Sequence, residues 1–223
     1  MSKNIILNEI TSSVTELKII IIGKCGSGKT SFVNRWVKDS FSQEYKSTIV
    51  SEYSSKTYEY KDKIYNINLW DIAGQDHFEF LIKSFCRDSH GCITISDISV
   101  PSSLNDALKW KKCLDDNQTF LDGTVIPNIL VQNKIDLIKN EEGNDIKKFE
   151  EFAKNNKFDA CFQTSAKTGK NISEVMDKLI QLVVNKLDEI NLKSMGEDRQ
   201  TLTLNPDKSS EIDKIRNAQR GCC

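Results

Sequence analysis

Long apolar runs are missing from this chain of 223 residues, although 38% of its residues are hydrophobic. No stretch approaches the ~20 apolar residues that a transmembrane helix needs, so we expect any membrane attachment to use a covalent lipid or a partner. An excess of one charge is missing as well, since 31 lysines and arginines accompany 32 aspartates and glutamates. Broad affinity for nucleic acid requires a basic surface, and we therefore expect no nucleic acid among the partners.

Cysteines and histidines at metal-ligand spacing are also missing. The chain has seven cysteines and two histidines, and the cysteines stand singly until the last two residues. This pattern excludes the usual zinc sites. Residues 1–16 lack the basic start and apolar run of a secretory signal peptide. We interpret them as an N-terminal extension of a reduced, cytosolic protein.

Short apolar segments alternate with amphipathic ones along the chain, which is typical of a parallel α/β sheet covered by helices. We predict a doubly wound, mostly parallel sheet of six strands, with one antiparallel edge strand and helices on both faces. The edge strand would be residues 51–60, turning at residues 61–63. The other predicted strands are residues 17–22, 64–70, 91–98, 126–132 and 160–164.

Helical patterns follow Gly28, Pro101, Asn144 and Asn171. The last is the clearest, because its apolar residues recur every three or four positions. That periodicity fades after about Ile190, and the remaining residues mix both charges. We therefore predict a main domain over residues 17–190 and a flexible, largely disordered tail over residues 191–223.

A glycine-rich phosphate loop follows the first predicted strand. It matches the pattern G-x-x-x-x-G-K-[ST] with Gly23, Lys24, Cys25, Gly26, Ser27, Gly28, Lys29 and Thr30. Glycines let backbone N–H groups face phosphate oxygens, and the helix that begins next adds the positive end of its dipole. Lys29 would neutralise the outer phosphates, and the Thr30 hydroxyl would bind Mg²⁺. The alternative is a glycine-rich turn without function.

Two later segments indicate which base is bound. Asn133, Lys134 and Asp136 follow a predicted strand, and Asp136 can accept hydrogen bonds from N1–H and the 2-amino group of guanine. After the next strand come Ser165, Ala166 and Lys167, whose backbone would approach the base carbonyl. Ligands of open α/β sheets bind at such carboxyl ends of parallel strands. Taken alone, each segment could equally be a solvated polar loop.

The remaining predicted site residues surround the γ-phosphate. Asp71 ends an apolar strand and would hold Mg²⁺ through a water, while the Gly74 N–H would reach the γ-phosphate. Gln75 would orient the attacking water. Thr48, in a polar loop, is a further candidate ligand for Mg²⁺, although hydroxyl residues are common in loops. The predicted catalytic residues are Lys29, Thr48 and Gln75, and the predicted metal ligands are Thr30, Thr48 and Asp71.

With these motifs in order, residues 15–190 resemble a small GTPase of the Ras superfamily, and within it the Rab family. The resemblance implies a P-loop NTPase fold, bound GTP or GDP with Mg²⁺, and a monomeric enzyme that hydrolyses GTP. Phe41 would stack on the base. The second switch would begin with Asp71, Ile72, Ala73, Gly74, Gln75, Asp76, His77 and Phe78. The first switch and effector region would comprise Tyr45, Lys46, Ser47, Thr48, Ile49, Val50, Ser51, Glu52 and Tyr53.

The resemblance also implies a cellular role in vesicle-mediated membrane traffic. The final Cys222 and Cys223 are similar to a double geranylgeranylation signal, and two lipid chains anchor stably where one is marginal. The protein would lie on the cytoplasmic face of intracellular membranes, with a soluble cytosolic pool. Its partners would be an exchange factor, a GTPase-activating protein, a dissociation inhibitor, an escort protein and effectors. Tyr53, Trp70 and Phe85 would form an effector-facing aromatic triad, unless they are ordinary core.

Some residues favour one subgroup, and others depart from the family pattern. Ile72 before Ala-Gly, with the segments at residues 97–99 and 109–111, resembles the subgroup of lysosome-related organelles. Val50 stands where Rab chains usually carry glycine, and Asp76 and His77 replace the usual Glu-Arg. These changes affect the switches, so we expect them to alter the choice of partners.

Two other functions remain open at this point. A metabolic P-loop kinase would share the phosphate loop, but the sequence shows no arginine-rich lid, and a kinase leaves Asp136 and the terminal cysteines unexplained. A module that binds GTP without hydrolysing it would fit the altered switches, although Gln75 argues against it.

Overall fold

The protein is described from a computed structural model that covers residues 14–74, 79–118, 123–138 and 145–201. For residues 79–82 and 194–201 it describes the backbone alone. Six strands form one sheet in the order β2-β3-β1-β4-β5-β6. Their bounds are Thr15–Ile22 (β1), Ser51–Tyr60 (β2), Lys63–Ile72 (β3), Gly91–Asp97 (β4), Asn128–Asn133 (β5) and Ala160–Gln163 (β6).

The predicted sheet is confirmed, including its one antiparallel edge. β2 pairs antiparallel with β3, while every other neighbouring pair is parallel. The turn between β2 and β3 places Lys61 and Asp62 at φ of 50° and 59°. Two positive φ values in a two-residue connection are typical of a type I′ turn, whose twist matches that of the strands.

The first strand lies in the centre of the sheet because it is apolar on both faces. Ile19, Ile20, Ile21 and Ile22 are all fully buried, so layers cover the sheet on either side. A parallel sheet of this kind brings the carboxyl ends of β1, β4, β5 and β6 to one edge. The candidate site lies at that edge.

Within the described residues, five α-helices connect and follow the strands. They span Lys29–Lys38 (α1), Glu79–Cys86 (α2), Ser103–Asp115 (α3), Ile146–Asn155 (α4) and Ile172–Thr201 (α5), and a short 3₁₀ helix spans Ile135–Leu137. Local chemistry explains several ends. The Asp145 side chain accepts a hydrogen bond from the Lys148 N–H and caps α4, and Asp39 ends α1 in the left-handed region at φ 48°.

The structure corrects several bounds that the sequence predicted. β1 begins at Thr15 rather than residue 17, and β3 spans Lys63–Ile72 rather than residues 64–70. β5 begins at Asn128 rather than at residue 126, because Pro127 has no N–H to donate to the sheet. α2 was not predicted from the sequence. α5 continues through Thr201, so the prediction of an unstructured tail is wrong for residues 191–201, which contain good helix formers and no proline.

The chain divides into two units, Met1–Val183 and Val184–Cys223. The whole sheet belongs to the first unit. In the described part of the chain, no helix is both long enough and apolar enough to span a membrane. The predicted domain boundaries at residues 16 and 190 stay predictions.

Candidate nucleotide-binding site

The phosphate loop curls between β1 and α1 because its glycines adopt conformations that other residues avoid. Gly28 has φ 94°, and a Cβ at this position would lie 2.4 Å from Nδ2 of Asn133. Both the backbone conformation and the close approach therefore require glycine. α1 begins at the next residue, Lys29, so its N-terminal N–H groups border the loop.

Lys29 lies beneath this loop rather than in solvent. Its side chain is 5% exposed, and its Nζ donates to the carbonyls of Gly23 at 2.9 Å and Lys24 at 3.1 Å. Burial lowers the pKa of Lys29 below its usual value, and the charge of Asp71 opposes that change. An anion bound in the loop would favour the charged ammonium further.

Two hydroxyls and a carboxylate meet at the start of α1. The Thr30 Oγ1 lies 2.9 Å from Oγ1 of Thr48 and donates a short hydrogen bond to Oδ2 of Asp71. Oδ1 of Asp71 and Oγ of Ser27 are buried without a hydrogen-bond partner. Burial raises the pKa of Asp71 to about 6, although Thr30 and the Lys29 charge oppose the shift.

This oxygen cluster fits Mg²⁺. The cation prefers hard oxygen ligands and keeps several of its waters, and the cluster offers two hydroxyls, one carboxylate and unpartnered buried oxygens. A divalent cation would also offset the cost of burying the Asp71 charge. The predicted ligands Thr30, Thr48 and Asp71 are therefore brought together.

Asn133 connects the phosphate loop to the segments predicted to bind the base. It is 1% exposed, and its Nδ2 donates to the Ser27 carbonyl at 3.0 Å. Its Oδ1 accepts from Thr164 Oγ1 at 3.2 Å and from the Ala166 N–H at 3.1 Å. One buried amide thus joins the end of β5 to two loops, the phosphate loop and the segment after β6, through three hydrogen bonds.

The carboxylate of Asp136 is held in place at the same edge of the sheet. The Ser165 Oγ donates to its Oδ1 at 2.5 Å, which leaves Oδ2 available to a ligand. Lys134 has φ 68° immediately before the 3₁₀ helix, and its Nζ pairs with Oδ2 of Asp97 at 2.6 Å. Ser165 itself is fully buried, so it orients Asp136 from behind.

All these segments border one cavity of about 720 Å³. That volume falls within the usual range for sites that hold a small molecule or cofactor. The predicted residues Gly23, Ser27, Asp71 and Ser165 are buried behind this wall, whereas Lys24 is exposed and pairs with Asp106 at 3.0 Å. The predicted residues that line the wall are Cys25, Gly26, Gly28, Lys29, Thr30, Phe41, Thr48, Gly74, Asn133, Lys134, Asp136, Ala166 and Lys167.

The predicted effector region covers one side of the cavity and remains largely exposed. Of residues 45–53, only Thr48 and Ser51 are partly buried. The hydroxyl of Tyr45 lies 3.0 Å from Sγ of Cys25 in the phosphate loop. The Val50 carbonyl accepts from the Ala73 N–H at 2.9 Å, so this segment also contacts the strand end that precedes Gly74.

The three predicted effector-facing aromatics form a row. The rings of Tyr53 and Trp70 meet edge-on with centroids 5.5 Å apart, and those of Trp70 and Phe85 lie 6.0 Å apart. Tyr53 is 56% exposed, which argues against an ordinary core role for it. Trp70 and Phe85 are partly buried against the core.

Sequence reasoning missed Arg35 and the role of Asp97. Arg35 donates to the carbonyls of Ala166 and Lys167 across the site. No local sequence motif predicts such a contact. The sequence places Asp97 in a segment that resembles the subgroup, but it does not predict that Asp97 pairs with Lys134. The predicted residues Gln75, Asp76, His77, Phe78, Cys222 and Cys223 lie outside the described residues.

The model of the Ras family matches residues 18–185. The Ras-related protein Rab-7L1 of Homo sapiens is 33% identical over 183 residues, which cover 81% of this chain and 89% of that protein. Rab-32 of Homo sapiens is 31% identical over 200 residues, covering 89% and 82%. Rab-32D of Dictyostelium discoideum is 34% identical over 173 residues, covering 77% and 75%.

Proposed function

Since this chain belongs to the Ras family, as a divergent Rab GTPase near the subgroup of lysosome-related organelles, we propose that it is a membrane-anchored switch that recruits effectors when GTP is bound. As a Rab GTPase it binds GTP and GDP, hydrolyses GTP and acts in membrane traffic. The observation that carries the proposal is that the phosphate loop, the oxygen cluster and both base segments border a single cavity.

Phosphate binding would use backbone and charge together. The N–H groups of the phosphate loop and the first turn of α1 would face the phosphate oxygens, and the buried Lys29 would neutralise the outer phosphates. Thr30, Thr48 and Asp71 would hold Mg²⁺, which stabilises the charge that develops on the transferred phosphoryl group. Gly74 is required here, because a Cβ would lie 2.4 Å from both the Cys25 nitrogen and the Lys29 Nζ.

Hydrolysis would depend on the placement of one water molecule. Gln75 immediately follows Gly74 and would orient that water for attack on the γ-phosphate. Positioning and electrostatic stabilisation are most of what such an enzyme contributes. We propose that efficient turnover needs an activating protein that supplies further positive charge.

Guanine selectivity would come from Asp136. Its free Oδ2 would accept from N1–H or the 2-amino group of the base, while Ser165 holds the other oxygen. Adenine has no 2-amino group and presents an acceptor at N1, so it would leave the half-buried carboxylate of Asp136 unmatched. Phe41 lines the cavity and is 36% exposed, so its ring is accessible for stacking on the base.

Switching would follow from the two segments that meet near the γ-phosphate position. Thr48 contacts Thr30, and the Val50 carbonyl is bonded to the Ala73 N–H. Loss of the γ-phosphate would release Thr48 and Gly74 together, which is how order and disorder alternate in such switches. The exposed residues 45–53 and the aromatic triad would then change their presentation to effectors.

Membrane attachment would use lipids on Cys222 and Cys223. Two prenyl chains provide stable anchoring, whereas one lipid binds reversibly. The protein would be monomeric, with a cytosolic pool beside the membrane-bound one. Its proposed partners are an escort protein, a dissociation inhibitor, an exchange factor, an activating protein and effectors. Changing both cysteines to serine should leave GTP hydrolysis intact and move the protein from membranes to the soluble fraction; retention on membranes would contradict this anchor.

The first test is nucleotide content and turnover of the purified protein. We expect GDP or GTP to co-purify, and slow hydrolysis in Mg²⁺ that is selective for GTP over ATP. Gln75→Leu should reduce hydrolysis at least tenfold, about the contribution of a water-positioning group, without changing GDP affinity. Unchanged hydrolysis in this variant would contradict the role of Gln75, and a preference for ATP would contradict that of Asp136.

A further inference from the structure

The guanidinium of Arg35 joins the two halves of the nucleotide site. Arg35 lies on α1, whose first residues border the phosphates, about 9 Å along the helix from Lys29 at ~1.5 Å per residue. Its Nε donates to the Ala166 carbonyl at 2.9 Å, and its Nη2 donates to the Lys167 carbonyl at 2.8 Å. Both acceptors belong to residues 165–167, which we call the base loop.

The base loop is held from two sides. On one side, Asn133 accepts from the Ala166 N–H and Asp136 accepts from Ser165. On the other side, Arg35 is the donor to the Ala166 carbonyl. The backbone N–H and C=O of Ala166 are therefore both engaged, which fixes the orientation of that residue relative to the base position.

The remaining contact of Arg35 is of a different kind. Its Nη1 donates to the carbonyl and the carboxylate of Asp39. The Asp39 side chain is 92% exposed, whereas that of Arg35 is 17% exposed. A solvent-exposed ion pair contributes little, so the two charge-assisted bonds to the base loop are the consequential ones.

We propose that Arg35 is a positioning residue for the guanine base, which sets the base loop relative to the phosphate loop through α1. The inference rests on the proposed nucleotide site and adds a residue that does not line its cavity. Arginine suits this role because its planar fork places two donors on two neighbouring carbonyls. Lysine at the same position would reach one carbonyl at most, as a point charge.

The first experiment measures release of ribose-labelled GDP from protein loaded with Mg²⁺ and chased with unlabelled GDP. Arg35→Ala should accelerate release by well over tenfold, and Arg35→Lys by about tenfold, because the two variants lose two and one charge-assisted hydrogen bonds to the base loop. Asp39→Asn is the matched control, because it removes the charge partner of the same guanidinium and leaves the base loop contacts. It should change release less than about twofold.

A second readout separates positioning of the base from general loosening. Competition with GDP and with 6-thioguanosine diphosphate compares an oxygen with a weaker sulfur acceptor at the position that faces the base loop. Wild type should prefer GDP, and Arg35→Ala should reduce that preference at least about threefold, because a displaced loop no longer distinguishes the two acceptors.

GDP release and ligand preference together test whether Arg35 positions the base loop. Unchanged release from both Arg35 variants would overturn the inference, as would faster release with an unchanged preference between the two ligands. If Arg35→Ala fails to fold, the same criteria apply to Arg35→Lys. Failure of the wild-type protein to bind GDP would instead contradict the proposed function.

Discussion

Val50 is the residue in the first switch whose backbone conformation costs the most. Its φ is 67°, and the N–H of Ser51 bonds to the carbonyl of Ile49 at 2.9 Å across it. A three-residue turn with positive φ at its centre is rare and strained. A β-branched residue in such a conformation is an outlier that costs ~1–3 kcal/mol.

Replacing Val50 with glycine should remove this strain, and Val100 provides the matched control. Val50 is 38% exposed and Val100 42% exposed, but Val100 does not have a positive φ. Each glycine adds ~0.5–1 kcal/mol of backbone entropy to the unfolded state. Val100→Gly should therefore lower the free energy of unfolding by about 1 kcal/mol. The free energy of unfolding of Val50→Gly should be higher than that of Val100→Gly by ~1–3 kcal/mol, because the strain is relieved.

The assay is urea unfolding followed by far-ultraviolet circular dichroism, in a fixed excess of GDP and Mg²⁺. An unchanged slope with denaturant shows that a shifted midpoint reports stability. GDP affinity is measured separately for each variant, since bound ligand stabilises the native state by mass action. Val50→Ala should recover only part of the difference, because its Cβ remains. If both glycine variants lose the same stability, Val50 carries no strain and the reasoning is wrong.

Three further predictions concern the base segments and the edge of the sheet. Asn133→Ala should lower the free energy of unfolding by ~2–4 kcal/mol, because it leaves the Ser27 carbonyl and two buried donors unpaired; urea unfolding with little change would contradict this. Asp136→Asn should shift preference from GDP towards xanthosine diphosphate by at least about tenfold in competition assays, because an amide donates where the carboxylate accepts. Burial, aided by the bond to Asp177, raises the pKa of Tyr58 from its usual 10.0 to about 12. Between pH 10 and 12 the native state therefore keeps the Tyr58 proton while the unfolded state loses it, so the free energy of unfolding falls as pH rises. Tyr58→Phe should make that fall smaller. Equal dependence of the free energy of unfolding on pH in wild type and variant would refute this prediction.

Much of the architecture could be predicted because it depends on patterns within short segments. The apolar run of β1 requires burial on both faces, and the alternation of segments requires a parallel sheet. The exact ends of strands and helices were harder to predict from the sequence. β5 begins later than expected because of Pro127, and the helical pattern of α5 did not show that the helix continues through Thr201.

The candidate site divides in the same way. The phosphate loop and Asp136 belong to consecutive motifs, where the types of neighbouring residues specify the chemistry. Arg35 belongs to no such motif, because the carbonyls that it bonds to are those of residues 166 and 167, more than 130 positions later in the chain. Likewise, no local motif predicts the positive φ of Val50, a residue whose carbonyl accepts from the distant Ala73 N–H in the folded chain.

The class of fold and the family follow from local patterns of residue type, and the same patterns predict which residues would contact nucleotide. Folding alone shows that Asn133 bonds to two loops, that Thr48 contacts Thr30, and that Arg35 bonds to the base loop. The physical reason is that hydrogen bonds between distant segments depend on how helices and strands pack. That packing brings donors and acceptors within about 3 Å only in the folded chain.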